Sequence, residues 1–141
     1  MTPVSGGSCF ELQVGTGDDS TFTIVTDGIS ALAVYAQHVP IEFERDRHYL
    51  YDASGTDIEP VAQDGPKAWE WAGIFSMADA SHTWSMQKVD GAYADPSMQL
   101  VLIPTDTATE AMLDWYGQTG SDLLNQSCTV VADGETRYAQ I

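Results

Sequence analysis

Through most of the chain, apolar and polar residues alternate with the period of a strand, and turn residues cut the runs at short intervals. In residues 9–14, Phe10, Leu12 and Val14 alternate with Glu11 and Gln13, and residues 15–20 form a turn. Residues 21–26 put Phe22 and Ile24 on one face, Asp27-Gly28 turns the chain, and residues 31–37 return with Leu32 and Val34, or the small alanines, packed inward. Pro40 ends that run. Residues 41–44 read as a strand with Ile41 and Phe43 on one face and Glu42 and Glu44 on the other, and residues 49–51 and 58–61 read as a hairpin around a turn at 52–57. The organising stretch is residues 69–104, which reads as a three-strand meander of 70–77, 82–89 and 98–103, closed by turns at 78–81 and at Asp90-Gly91.

After Pro104 the period becomes helical. Thr107 and Glu110 have the spacing of a capping box, and Ala108, Met112, Trp115, Tyr116 and Leu123 recur on one helical face. Gly117 and Gly120 each cost about 1 kcal/mol relative to alanine in a helix, so residues 107–126 hold one helix or two short ones. Residues 129–131 and 136–141 flank Asp133-Gly134 as a terminal hairpin. About nine short strands with turns between them predict a mainly β fold, an antiparallel β-sandwich rather than a barrel. The 141 residues make one domain, 1–141, either alone or as a module of a longer secreted protein.

Charge narrows the function classes. With 21 acidic residues against five Lys and Arg, the net charge is −16. Phosphate neutralisation needs a basic patch, so nucleic acid is not an expected partner, and anionic membrane surfaces are disfavoured. Such a surface suits divalent cations, cationic partners, or a marine or halophilic setting in which salt screens the self-repulsion. No apolar run reaches 18 residues, so membrane insertion is not expected, and residues 1–7 lack the pattern of a signal peptide; the expectation is that any export signal has been removed or that this is one module of a longer precursor. Cys9 and Cys128 stand near opposite ends of the sequence. A bridge between them would close a loop of about 120 residues and stabilise by up to ~4–5 kcal/mol on the chain-entropy model. Two unpaired core thiols are the other reading.

The runs TFTIVTDGISALAVYA and HYLYDASGTDIEPVA, within a span of about a third of the chain, resemble pre-peptidase C-terminal domains, in which two strands around a glycine turn precede a LYLYDADG-like hairpin. The stretch from WAGIFSM through SHTWSMQKVDGAYADPSMQLVLIP also resembles segments of exported microbial proteins, some of them linked to metal handling. Both resemblances imply a secreted, non-catalytic module.

Candidates for chemistry are few, since GxSxG, HExxH, P-loop and GxGxxG patterns are absent. His38, Glu42, Glu44 and His48 put imidazoles beside two carboxylates on one strand face, a donor set for zinc or another first-row ion, and His82 could join from another strand. The alternative has His38 capping a strand end and Arg45 and Arg47 neutralising the glutamates. Acidic turns (Asp18-Asp19; Asp52, Ser54 and Asp57; Asp90 and Asp95) offer oxygen ligands for calcium, although turn aspartates commonly bond their own backbone. Trp69, Trp71, Trp84 and Tyr93 either pack in the core or form a carbohydrate-binding face. Asn125, the chain's only asparagine, begins the glycosylation sequon Asn125-Gln126-Ser127. The expectation is an extracellular or cell-surface module, periplasmic if bacterial, that binds a protein partner or itself and carries a divalent-cation site. A structural subunit of an array or filament, and a small hydrolase using His82, are the rivals.

Overall fold

The computed structural model describes residues 1–134. The strands are β1 (Ser8–Gln13), β2 (Asp19–Val25), β3 (Ala31–Ala36), β4 (Leu50–Asp52), β5 (Ala62–Asp64), β6 (Trp71–Ser76), β7 (Ser81–Gln87), β8 (Ser97–Thr105) and β9 (Thr129–Ala132). Two helices, α1 (Glu110–Trp115) and α2 (Gly117–Leu123), lie between β8 and β9. The strands form a six-stranded sheet in the order β5-β6-β3-β8-β1-β9 and a three-stranded sheet in the order β2-β7-β4. All pairs are antiparallel except β1 with β9. The result is the expected β-sandwich with two short helices.

Hydrophobic pattern explains which strand goes where. A sheet covered on both faces reads as continuous apolar runs, whereas one covered on a single face alternates. The run Ala31–Ala36 is buried throughout because Leu32, Val34 and Ala36 face the three-stranded sheet while Ala33 and Tyr35 face the helices. In β6, Trp71 and Phe75 likewise point into the sandwich and Ala72 and Ile74 toward the helix layer; in β8, Leu100 and Leu102 oppose Val101 and Ile103. β2 alternates instead, with Phe22 and Ile24 buried at 1% and 0% exposure between half-buried neighbours. Both inward choices foreseen for residues 31–37 are therefore used, one on each face.

The same pattern overturns the meander. β6 and β8 pair with β3 on its two edges, and β7 belongs to the other sheet between β2 and β4. Likewise β2 and β3, expected as a hairpin, lie in different sheets, so the turns at 26–30 and 77–80 are crossovers. Doubly covered strands gather around β3, and β7, whose His82, Trp84 and Met86 share one inward face, cannot sit among them.

Residues 40–43 form a 3₁₀ turn, not a strand, with Pro40 in its first turn, so Phe43 is buried while Ile41 is 63% exposed. The strand expected at 58–61 forms later, as β5, while near β4 the chain keeps the Tyr51–Asp57 bridge, the Asp52 N–H bond to the Thr56 carbonyl and the Ile58 N–H bond to the Leu50 carbonyl. Thr109, not Thr107, is the N-cap of α1, accepting from Met112 N at 3.2 Å. The strand expected at 136–141 lies outside the described residues.

A disulfide joins Cys9 and Cys128, whose Cα atoms are 4.6 Å apart. It ties β1 to the segment entering β9, just before the parallel register that starts with Phe10 opposite Thr129. Among the described residues no helix is long and apolar enough to cross a membrane.

Candidate functional site

The five residues expected around a cation lie in three separate places. His38 Nε2 contacts Asp95 Oδ2 at 3.0 Å and its Nδ1 lies 3.5 Å from Glu42, tying the 3₁₀ turn to the loop before β8. His48 Nδ1 is 2.9 Å from Glu44 Oε1, and its Nε2 faces the Ile58 carbonyl at 2.8 Å and Glu59 at 3.5 Å. Glu44 also accepts from Tyr49 N at 3.0 Å. The 3₁₀ turn separates the two glutamates that a strand would have aligned, and each serves its own histidine. Among the described residues no group of three or more His, Cys, Asp or Glu side chains is placed to hold a metal ion.

The segment carrying His48 is fixed by Gln87, a residue with no sequence motif to announce it. Its buried side-chain oxygen accepts from the backbone N–H groups of Arg45, Asp46 and Arg47 at 2.9, 3.0 and 2.9 Å. Its amide nitrogen donates to Asp19 and Asp46 at 2.9 and 2.7 Å, so every polar atom of this 2%-exposed side chain is used.

His82 lies in the core near the two crossovers. They line a cleft of about 290 Å³ with residues 26–30 and 77–80. Thr26, on the cleft wall, bonds the Asp79 carbonyl at 2.6 Å and His82 Nδ1 at 2.8 Å. A carbonyl only accepts, so the single hydroxyl proton of Thr26 goes to Asp79, and His82 Nδ1–H must donate to Thr26. The imidazole therefore does not take a proton from Thr26, as a catalytic base would from a nucleophile. Its other nitrogen, Nε2, is buried without a hydrogen-bond partner, and burial holds the imidazole below its usual pKa despite the nearby Asp79 and Asp52 carboxylates.

The acidic turns are largely spent on their own structure. Asp52 Oδ1 accepts from Ser54 N, Ser54 Oγ and Thr56 N at 2.8–3.0 Å, and these bonds hold its carboxyl below the usual range. Asp95 binds Ser97 N as well as His38, and Asp19 binds Arg45 and Gln87. The proposed sugar-binding aromatics divide similarly. Trp69, Trp71 and Trp84 are 8%, 6% and 0% exposed, which leaves them no face for a sugar ring, and Tyr93 bonds Ser20 and the Gly17 carbonyl. Asn125 is exposed at the end of α2 with its backbone N–H on Gln99.

The exposed tryptophan is Trp115, at 78%. Helical spacing placed it on the buried face, but the buried side chain of α1 is Leu113. The sheet decides this. Tyr35 donates its hydroxyl proton to the Leu113 carbonyl, and α2 approaches through glycine: a Cβ on Gly120 would lie 2.4 Å from the Tyr35 ring, and one on Gly117 2.9 Å from Trp69. That contact turns Trp115 outward, where it lines a groove of about 240 Å³ with Thr109, Ala111, Met112 and Tyr116. Such a volume suits one or two side chains rather than a whole small-molecule ligand. No protein-family model matches the chain, and no similar protein is found among the curated proteins or the solved structures.

Proposed function

We propose that the chain is a non-catalytic binding module, exported or cell-surface, that receives a segment of a partner protein in the α1 groove. The observation that carries this reading is Trp115: three tryptophans are buried, and the fourth is 78% exposed beside an apolar groove. Large, rigid indoles with a polar edge are over-represented among the residues that dominate binding energy at protein interfaces. The Cys9–Cys128 bridge supports an oxidising compartment, as disulfides persist outside the reducing cytosol. The resemblance to pre-peptidase C-terminal domains points the same way.

Two observations favour this reading over its rivals. A hydrolase needs an activated nucleophile, and the donation from His82 to Thr26 runs in the opposite direction. An array built by edge pairing needs a long open strand. Here β4, β5 and β9 have three or four residues each, and the outer edge of β2 is taken up by bonds to Met1 and Gly134. The test is selection of a random peptide library on the protein, with counter-selection on Trp115→Ser. Peptides that bind the parent and not the variant are expected; a library in which every enriched peptide binds both equally would contradict the reading.

A further inference from the structure

The charge around Trp115 says what kind of segment fits. Between Thr105 and Gly134 the sequence holds Asp106, Glu110, Asp114, Asp122 and Asp133 and no Lys, Arg or His. Glu110 and Asp114 lie on α1 itself, both exposed, one turn apart, and among the described residues neither side chain makes a hydrogen bond or an ion pair. The Lys and Arg side chains among the described residues have partners of their own. Arg45 pairs with Asp19 at 2.9 Å, Lys67 with Asp64 at 2.6 Å and Lys88 with Asp18 at 3.8 Å, while Arg47 lies 3.8 Å from the Tyr51 ring centroid and donates to the Gly55 carbonyl at 2.6 Å. Among the described residues no Lys, Arg or His forms an ion pair with Glu110 or Asp114, although Lys67 acts on Asp114 electrostatically.

Resting on the binding-module reading above, we infer that the α1 groove takes a cationic segment of a partner protein, one in which Lys or Arg is interspersed with apolar residues. A Lys or Arg side chain has a methylene stem and a charged head. The stem matches the row formed by Met112, Trp115 and Tyr116. The head can lie over the indole face, where cation–π attraction is strongest among the aromatics, with Glu110 and Asp114 beside it. The net charge of −16 adds long-range attraction that steers such a segment in and repels an acidic one.

Isothermal titration with a short synthetic peptide mixing arginine and leucine, and with its counterpart carrying glutamine for every arginine, tests this. The arginine peptide should bind the parent about tenfold more tightly than the glutamine peptide does, and molar salt should remove most of that difference. Trp115→Ser leaves the net charge unchanged and removes an exposed side chain, so its circular dichroism should match the parent while its affinity for the arginine peptide falls about tenfold. Glu110→Gln with Asp114→Asn should close the gap between the two peptides. If the glutamine peptide binds as tightly as the arginine one and Trp115→Ser loses both, the groove stands and the cationic preference is wrong. Equal binding of the arginine peptide to parent and Trp115→Ser would mean diffuse charge attraction and would remove the groove with it. A parent that binds neither peptide would overturn the cationic preference.

Discussion

His82 shows how much one buried side chain can commit. Its Nδ1 proton is donated to Thr26, its Nε2 lone pair faces no donor, and charging the ring would bury a proton with no acceptor already in place. Burial therefore depresses the folded-state pKa below the ordinary value of about 6.5 that the unfolded chain retains. Between those two values the unfolded chain binds the extra proton. Stability from this group is complete above about pH 6.5 and is lost as pH falls, with a slope of at most ~1.4 kcal/mol per pH unit. His82→Asn keeps a donor for Thr26 and cannot titrate, so its urea midpoint should fall less than the parent's between about pH 6.5 and 5. Parallel curves would show that His82 does not set the acid sensitivity. The sequence marks His82 as one of three histidines, but nothing in its neighbours marks it as buried, since that follows from its sharing a strand face with Trp84 and Met86.

At the scale of elements, the helix layer is held by absent side chains as much as by present ones. Helix propensity alone says that Gly120→Ala should stabilise α2 by about 1 kcal/mol. Packing says the reverse, because the new Cβ would fall 2.4–2.8 Å from three atoms of a buried Tyr35 ring whose hydroxyl is anchored on Leu113. Overpacking of this kind typically costs ~1–3 kcal/mol, and here the ring cannot swing away without breaking that anchor. Gly120→Ala should therefore lower the melting temperature, and a variant more stable than the parent would show that α2 does not rest on Tyr35. Strand existence was legible in alternation and turn residues because both are local. Strand partners were not. The Asp27-Gly28 and 78–81 turns look like hairpin turns in sequence yet cross between sheets, a choice made by which strands need cover on both faces. The same gap hid the site: spacing put Trp115 on the inner face of one helix, and the break at Tyr116 gives α1 and α2 separate faces.

Across the whole molecule, a bridged sandwich carries a strongly acidic surface and one exposed indole. The Cys9–Cys128 bond spans 119 residues, so it restricts nearly the entire unfolded chain and is worth up to about 4–5 kcal/mol on the chain-entropy model. That reserve helps offset the mutual repulsion behind a net charge of −16 in dilute salt. The proposed cationic partner requires Trp115 to stand open to solvent in a negative field. Fluorescence quenching measures both parts at once, since Trp69, Trp71 and Trp84 are buried and the difference between the parent and Trp115→Phe isolates one ring. Neutral acrylamide should quench this component readily, and at low salt a cationic pyridinium quencher should act on it more strongly than iodide. A Trp115 component shielded from acrylamide, or one that iodide quenches as well as the cation does, would contradict the proposal.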